Sequence, residues 1–440
     1  MYELKLGTLD DQVAILGETV SAPFRGGALS PSTPQSLPGG GWTTEVYTLA
    51  LEDSPGEIAA ALSHLQALLT RAASYTAHGL GKPVYLFATA CQGDPQVTSL
   101  VRSGAIAALP GAASRAQGSL GIALTLERRD YWEGAAAALP LTNRSATRVT
   151  TGIAVANHLD ADANHDNYVE ILGADIQGDL PAAVSIDYTN ASPAAYLLDS
   201  LIVHLNANSS PAALAPVYEA SGTADAACSG GSKAVISLTP TDAQVLAWTI
   251  SADQVSCAAG NDFMLLLRLA SPLPAADTIF HAALAISTYR LLETPPVLLP
   301  ASQGILELGV LTIPPSLAGV QAGPASLSLR LYAHTTGGSR SVEVDFLYLA
   351  AMDAYRRLSR VGRLLYSNEA IVDDGFTNQC YLLTNASALV APNYNAFGAQ
   401  AYLVPGLTQR IGFFQVGAHN GEIDRPGWVH VQYKPRKRVL

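Results

Sequence analysis

The chain has 440 residues, 49% of them hydrophobic and only 14% charged, with a net charge of −11 and a pI near 5.2. That length allows several domains with large cores. The acid balance excludes a general nucleic-acid binder, which needs a basic face to displace counterions, although it leaves open a pore that DNA crosses without sticking. A surface so poor in charge either faces other subunits over much of its area or draws its polarity from Ser, Thr, Asn and Gln.

The first twenty residues read as two short strands, YELKLG and QVAILG, joined by a TLDD turn. Gly26–Gly41 (GGALSPSTPQSLPGGG) is too rich in Gly, Pro and Ser for a regular element, and a loop of that length is an arm reaching for something or a disordered stretch. Trp42–Leu51 and Pro83–Thr89 read as strands around one long helix at 54–78. Ser54 caps that helix, Pro55 occupies its first turn, Glu57 completes a capping box and Gly79 ends it. Ile58, Leu62, Leu65, Leu69 and Ala72 form its apolar stripe.

Val97–Leu109 and Leu120–Glu127 are further strands, so residues 1–135 form one α+β unit, a sandwich with a helix packed on it. Residues 136–148 read as a linker. From 149 to 352 strands recur every 10–15 residues with no strong helix, the rhythm of a jelly roll. Residues 353–362 read as a short helix or a crossing linker. The segment 363–440 gives strands but is short for a domain of its own, which predicts that it returns to complete the first. The expected fold is therefore mainly β: a β-sandwich ring domain with one packed α-helix, plus an inserted jelly-roll domain.

Candidate chemistry is sparse. Asp160, Asp162, Asn164 and Asp166 alternate like the start of a calcium loop. However, His165 stands where the loop needs Gly and Ile171 where it needs Glu, so a polar turn is the competing reading. No other cofactor is expected. The nine histidines are scattered: His64 lies off the helix stripe and reads as solvated, and His158 and His165 sit near the acidic run without a recognisable ligand pattern. No HExxH, GxSxG, P-loop or Gly-rich dinucleotide motif occurs, and no carboxylate pair stands out as acid and base. Strand tyrosines such as Tyr188 and Tyr289 read as half-buried packing residues, with sugar binding as the alternative. Cys91, Cys228, Cys257 and Cys380 include no CxxC. Cys228 and Cys257 can pair across a hairpin-like region, which the sequence leaves open.

The sequons at Asn143, Asn190, Asn208 and Asn385 carry little weight, because the N-terminus has neither the basic start nor the apolar core of a signal peptide. No apolar run is long enough for a membrane span. The one basic run, Lys434–Arg438 (KPRKR), reads as a solvated or subunit-bridging tail, with nuclear or phosphate binding as alternatives.

An ordered series of motifs runs the length of the chain. Tyr2-Glu3-Leu4-Lys5-Leu6 opens it. The helix with Leu62, Leu65 and Leu69 ends in Ala72-Ala73-Ser74-Tyr75 and precedes Pro83-Val84-Tyr85-Leu86. Leu124-Thr125-Leu126-Glu127-Arg128 runs into Tyr131-Trp132-Glu133-Gly134, and Gly178-Asp179-Leu180-Pro181-Ala182 opens the middle region. Leu308-Gly309 and Pro314-Pro315 lie inside it, and Pro405-Gly406, Gln409-Arg410 and Tyr433-Lys434-Pro435-Arg436 close the chain.

In this order the chain resembles the distal-tail-like, tail-tip structural proteins of long-tailed bacteriophages and prophages. The resemblance implies a ring, usually a hexamer, stacked on the tail tube around a DNA lumen. The partners it implies are other copies, the tube and other tail-tip proteins, and the location a virion tail assembled in the host cytoplasm. Such proteins have no catalytic residues to carry over. The middle domain is larger than many such appendages, and the last 75 residues lack an obvious helix. The expectation is a non-enzymatic tail-tip component whose appendage serves assembly or contacts a host-surface glycan. The alternatives are a stand-alone carbohydrate-binding protein and a glycan-degrading enzyme.

Overall fold

The computed structural model describes residues 3–17, 19–29, 35–36, 41–109, 118–143, 148–156, 167–207, 217–273, 275–301, 304–317, 327–359, 364–384, 395–416 and 427–438. It is mainly β and divides into two compact units. One comprises Met1–Ala136, Gly178–Leu180 and Lys434–Leu440; the other comprises Ala137–Gln177 and Pro181–Tyr433.

The first unit is one antiparallel sheet with a helix on its inner face. Its elements are β1 (Glu3–Gly7), β2 (Gln12–Leu16), β3 (Phe24–Leu29), β4 (Gln35–Ser36), β5 (Trp42–Glu52), α1 (Pro55–His78), β6 (Tyr85–Thr89), β7 (Val97–Ala108), β8 (Ser119–Arg129) and β9 (Trp132–Glu133). The order across the sheet is β2-β1-β6-β7-β8-β5-β3, with β4 also on β5. Here the expected loop gives way. Within Gly26–Gly41, Gly27–Leu29 and Gln35–Ser36 pair with β5, because the backbone groups along that strand's outer edge need partners.

The helix begins and ends where its sequence signals put it, although the Glu57 side chain does not close the expected capping box. Ser54 Oγ accepts from the Glu57 N–H at 3.3 Å, and Gly79 ends the helix at φ 67°, a left-handed conformation that suits glycine. Ile58, Leu65, Leu68, Leu69 and Ala72 pack against Leu6, Leu86, Val101, Leu124 and Leu126. The approach is close at Gly104 of β7, where a Cβ would stand 2.5 Å from the Thr125 carbonyl oxygen and 2.8 Å from Leu69 Cδ2. Gly104→Val should therefore push α1 off the sheet and cost about 1–3 kcal/mol in chemical unfolding. A variant as stable as wild type would show that the helix seat tolerates bulk.

The second unit holds two sandwiches, one nested in the other. In the first, the sheet containing Ala182–Asn190, Ala370–Asp374, Gln379–Leu383 and Gly427–Tyr433 faces the sheet containing Tyr168–Ile171, Ser200–Ala207, Tyr355–Ser359 and Gln409–Val416. Ile186, Tyr188, Val203, Phe413 and Val431 fill the core between them. In the second sandwich, Ser232–Leu238, Asp262–Leu269, Ile305–Thr312 and Arg340–Ala351 face Ala243–Ile250, Thr278–Ile286, Tyr289–Glu293 and Leu327–Thr335. These enclose Leu267, Phe280, Leu329 and Val344.

Several expectations change here. The second sandwich enters after Ala207 and leaves before Tyr355, and the strands flanking it, Ser200–Ala207 and Tyr355–Ser359, pair with each other from Ser200↔Ser359 to His204↔Tyr355. The insertion is thus the strand-rich stretch 217–351 rather than all of 149–352. The stretch 353–362, expected as helix or linker, contributes the strand Tyr355–Ser359. The expected linker 136–148 supplies Leu139 and Leu141 to the first sandwich's core. The C-terminal strands pair with Ala182–Asn190 and Ser200–Ala207 rather than with the first unit, because their alternating apolar residues complete that core. Only the last residues return to the first unit, where Arg436–Lys437 pairs with β9. A second helix, Ala252–Ala258, carries its own Ser251–Gln254 capping box.

Where the two sandwiches of the second unit meet, Ile202, Tyr355, Phe414 and Val416 pack on Leu266, Ile305, Phe346 and Tyr348.

Candidate functional site

Among the described residues three buried ion pairs tie strands together. In the first unit, Arg128 reaches Glu45 through Nε–Oε2 at 2.9 Å and Nη2–Oε1 at 2.6 Å, with its guanidinium 4.3 Å from the Trp132 ring. In the first sandwich Arg356 Nε lies 2.7 Å from Asp373 Oδ2. Burial raises the Asp373 carboxyl above its ordinary value in spite of Arg356. In the second sandwich Arg268 and Asp345 are both fully buried and in direct contact, and Asp345 Oδ1 also accepts from the Ser229 N–H at 2.8 Å.

The densest polar constellation lies on the outer face of the second sandwich. Along Leu327–Thr335, alternation turns Leu329, Leu331 and Ala333 inward, so Ser328, Arg330, Tyr332 and His334 share the outer face. Register places His281 directly opposite Tyr332, and their rings stack at 5.0 Å. Arg290 lies over the other partner of that stack, 3.8 Å from the Tyr332 centroid. His281 Nε2 lies 3.1 Å from Asp242 Oδ1, while Nδ1 approaches Glu293 Oε1 at 2.8 Å without hydrogen-bond alignment. Arg290 Nη1 donates to Glu293 at 3.0 Å, and His334 Nδ1 stands 3.5 Å from Asp242.

His281 is 2% exposed, whereas the Asp242 and Glu293 side chains are 36% exposed. Partial burial opposes ionisation of Asp242, but His281, Arg290 and His334 together hold its carboxyl below the ordinary value. The face thus presents two carboxylates and a guanidinium over an aromatic floor, groups able to hydrogen-bond a polar ligand from both sides. Among the described residues no group of His, Cys, Asp and Glu is arranged to hold a metal ion.

A second polar row crosses the first sandwich, where Asp187 faces His430 at 3.7 Å. Burial, with nearby Asp374, raises the Asp187 carboxyl against the pull of His430. The described residues also leave a groove of about 960 Å³ along the exposed flank of α1, lined by Ala59, Leu62, Ala67, Leu80 and Ile106.

Asp160, Asp162, Asn164 and Asp166, with His158 and His165, lie outside the described residues, as do Asn208 and Asn385. His64 projects from α1 to Asp11 at 3.1 Å. Tyr188 is fully buried against Gln415, but Tyr289 is 73% exposed, contrary to the packing role expected for it. It sits just past the Ser287 turn, at the end of a short edge strand. Asn190 is buried and donates to the Ala194 and Leu365 carbonyls, which removes it as a glycan acceptor. All four cysteines are free, so Cys228 and Cys257 are not paired. The basic run Lys434–Arg438 is no loose tail: Gly134 donates to the Pro435 carbonyl, and Arg436 is bound to Glu133 at 2.8 Å and stacked on Tyr131.

The His281 constellation and the buried His204–Tyr348 contact escaped the sequence reading. The alternation that exposes Arg330, Tyr332 and His334 is visible in one strand. Their neighbours Asp242, His281 and Glu293 come from three other segments, and only register joins them.

No family model matches the chain, and no curated protein matches it. Among solved structures it is similar to a chain of the phage P2 baseplate in its activated conformation with Ca, over all of both chains, at 9% identity and a TM-score of 0.28. It is also similar to VP2 of the infectious bursal disease virus subviral particle. That likeness covers 59% of this chain and 67% of the other, at 8% identity and a TM-score of 0.19. Likenesses at these scores decide neither fold nor function. No helix among the described residues is long and apolar enough to cross a membrane.

Proposed function

We propose that the chain is a non-catalytic structural component of a phage-like tail tip. Copies of the first unit form a ring around a DNA-conducting lumen, and the nested sandwiches are an appendage for tail assembly or host-surface contact. One observation carries this reading. The buried charges at Glu45–Arg128, Arg356–Asp373 and Arg268–Asp345 lock strands together, while the middle of the outer face of the first unit's sheet, between the Arg102–Glu127 pair at one end and Glu52 at the other, is uncharged across three long strands. Thr44, Val46, Thr48 and Ala50 of β5 lie there beside Ala123 and Thr125 of β8 and Ala105 and Ala107 of β7. Such a face suits permanent contact with other protein better than exposure to water. The net acidity suits a channel that must release DNA.

The second reading, a carbohydrate-binding protein acting alone, is favoured by the Asp242–Arg290–Glu293 face over Tyr332. Mass measurement of the purified chain separates the two. Assemblies at multiples of 45.9 kDa are expected. A strict monomer that binds glycans, and loses them on Glu293→Gln, would replace the first reading with the second.

A further inference from the structure

We propose that the first unit carries two complementary surfaces, a basic end and an acidic end of one sheet, through which one copy docks head-to-tail on the next. The proposal rests on the assembly reading above and names the contact that reading requires.

Both ends lie on β5. Its eleven residues make ten intervals of roughly 3.3 Å, which separate Trp42 from Glu52 by about 33 Å. That exceeds the screening length of about 8 Å in physiological salt, so the ends act as separate patches.

At the Trp42 end, Arg129 stands directly across the ladder. Two guanidiniums lie against the Trp42 indole, Arg129 at 4.2 Å and Arg102 at 5.0 Å from its centre. Lys437, opposite Trp132, and Arg438 beyond it are exposed. The acids of this end are largely engaged: Glu45 by Arg128, Glu127 by Arg102 and Glu133 by Arg436. Asp130 is exposed beside Arg129, and Asp179 accepts from the Arg438 N–H at 3.4 Å. Arg129, Lys437 and Arg438 outnumber Asp130 and Asp179 by one, which leaves this end positive.

At the other end of the strand, Glu52, Asp53 and Glu57 gather where β5 runs into α1. The Glu52 side chain is 56% exposed, and Arg25, at 3.7 Å, is the basic group facing it. The helix dipole returns about half a positive charge, which leaves the end negative.

Two different patches that complement each other make a heterologous contact, which closes into a ring when the rotation per copy allows and otherwise runs on as a filament. A two-fold dimer would pair each patch with the other twice over and stop at two copies, so assembly beyond a dimer separates the two arrangements. The Arg129 guanidinium is held on Trp42 before contact, which lowers the ordering cost of binding a carboxylate. Among anionic partners a second copy is favoured over nucleic acid, because its complement is present on the same sheet.

The test uses the full chain in two charge-reversed forms, Arg129→Glu with Lys437→Glu, and Glu52→Lys with Glu57→Lys. Circular dichroism checks that each folds, and Arg129→Gln serves as a milder variant. Each reversed form alone should lose the assembly and run at the mass of one chain. Mixing the two should restore it, because like ends in each form become opposite ends between them. Wild-type assembly should weaken as salt is raised.

If wild type assembles and either reversed form still assembles alone, the contact lies elsewhere and only the assembly reading survives. A wild type that stays monomeric overturns both. Loss of duplex DNA binding in the Arg129→Glu, Lys437→Glu form, with assembly intact, would make the basic end a polyanion surface and overturn the proposal.

Discussion

Asp345→Ala should destabilise the inserted sandwich by about 3–5 kcal/mol, the scale of removing one partner from a buried ion pair. The substitution leaves Arg268 charged in a core where its side chain is 2% exposed. It also frees the Ser229 N–H, which closes the loop after Cys228. Asp345 sits where the ladder between Asp262–Leu269 and Arg340–Ala351 slips, so Leu269 pairs with Val344 and Arg268 with Phe346. The bulge takes Asp345 out of the register of that ladder, and its carboxylate meets the guanidinium there. Hydrogen exchange should show protection lost across 217–351 while the first unit keeps its own. Adding Arg268→Met to the variant should recover much of the loss, because the uncompensated charge is gone. Unchanged protection in Asp345→Ala would mean that the pair contributes little to holding the sheet together.

The second large effect is a pH dependence at the joint between the two sandwiches of the second unit. His204 is completely buried, its Nδ1 lies 2.8 Å from the Tyr348 hydroxyl, and burial pushes the imidazole down to about 3. The same burial raises the Tyr348 hydroxyl, with Arg410 as the nearby charge pulling it down. The folded joint therefore takes neutral His204, while the unfolded chain protonates near 6.5. Stability from this group is present in full above pH 6.5 and is lost as pH falls from 6.5 towards 3. The loss is on the order of 4 kcal/mol across that window. Denaturant unfolding followed through the joint should weaken over that range in wild type, and His204→Gln should remove that part of the slope. Identical slopes in the two proteins would show that the acid sensitivity comes from carboxylates alone.

The first unit was the most legible part of the sequence. Ser54, Pro55 and Gly79 are local signals, and the structure has α1 beginning and ending where they put it. The strands around it alternate cleanly because one face meets α1. The second unit was harder for a physical reason. Strands such as Thr278–Ile286 and Arg340–Ala351 are buried on both faces, so alternation fades and nothing local tells which sheet they join. Nesting compounds this: Ser200–Ala207 and Tyr355–Ser359 are neighbours across a gap that the sequence fills with another sandwich. The same gap hid the His281 face, whose members are set by register between distant segments. The short helix Ala252–Ala258 did carry a legible cap in Ser251 and Gln254, but seven residues give too little periodicity to stand out among strands.

The low fraction of charged residues left burial against other protein and a polarity drawn from Ser, Thr, Asn and Gln both open; under the proposed assembly the uncharged middle of the outer face of β5, β7 and β8 is the buried surface. In the same proposal the basic and acidic ends of β5 set the direction of the contact. Electron micrographs of the purified full-length chain test the central claim most directly. Closed rings with an open centre and density projecting from each subunit are expected. Fields of single particles of one-chain size at every concentration tried would contradict it.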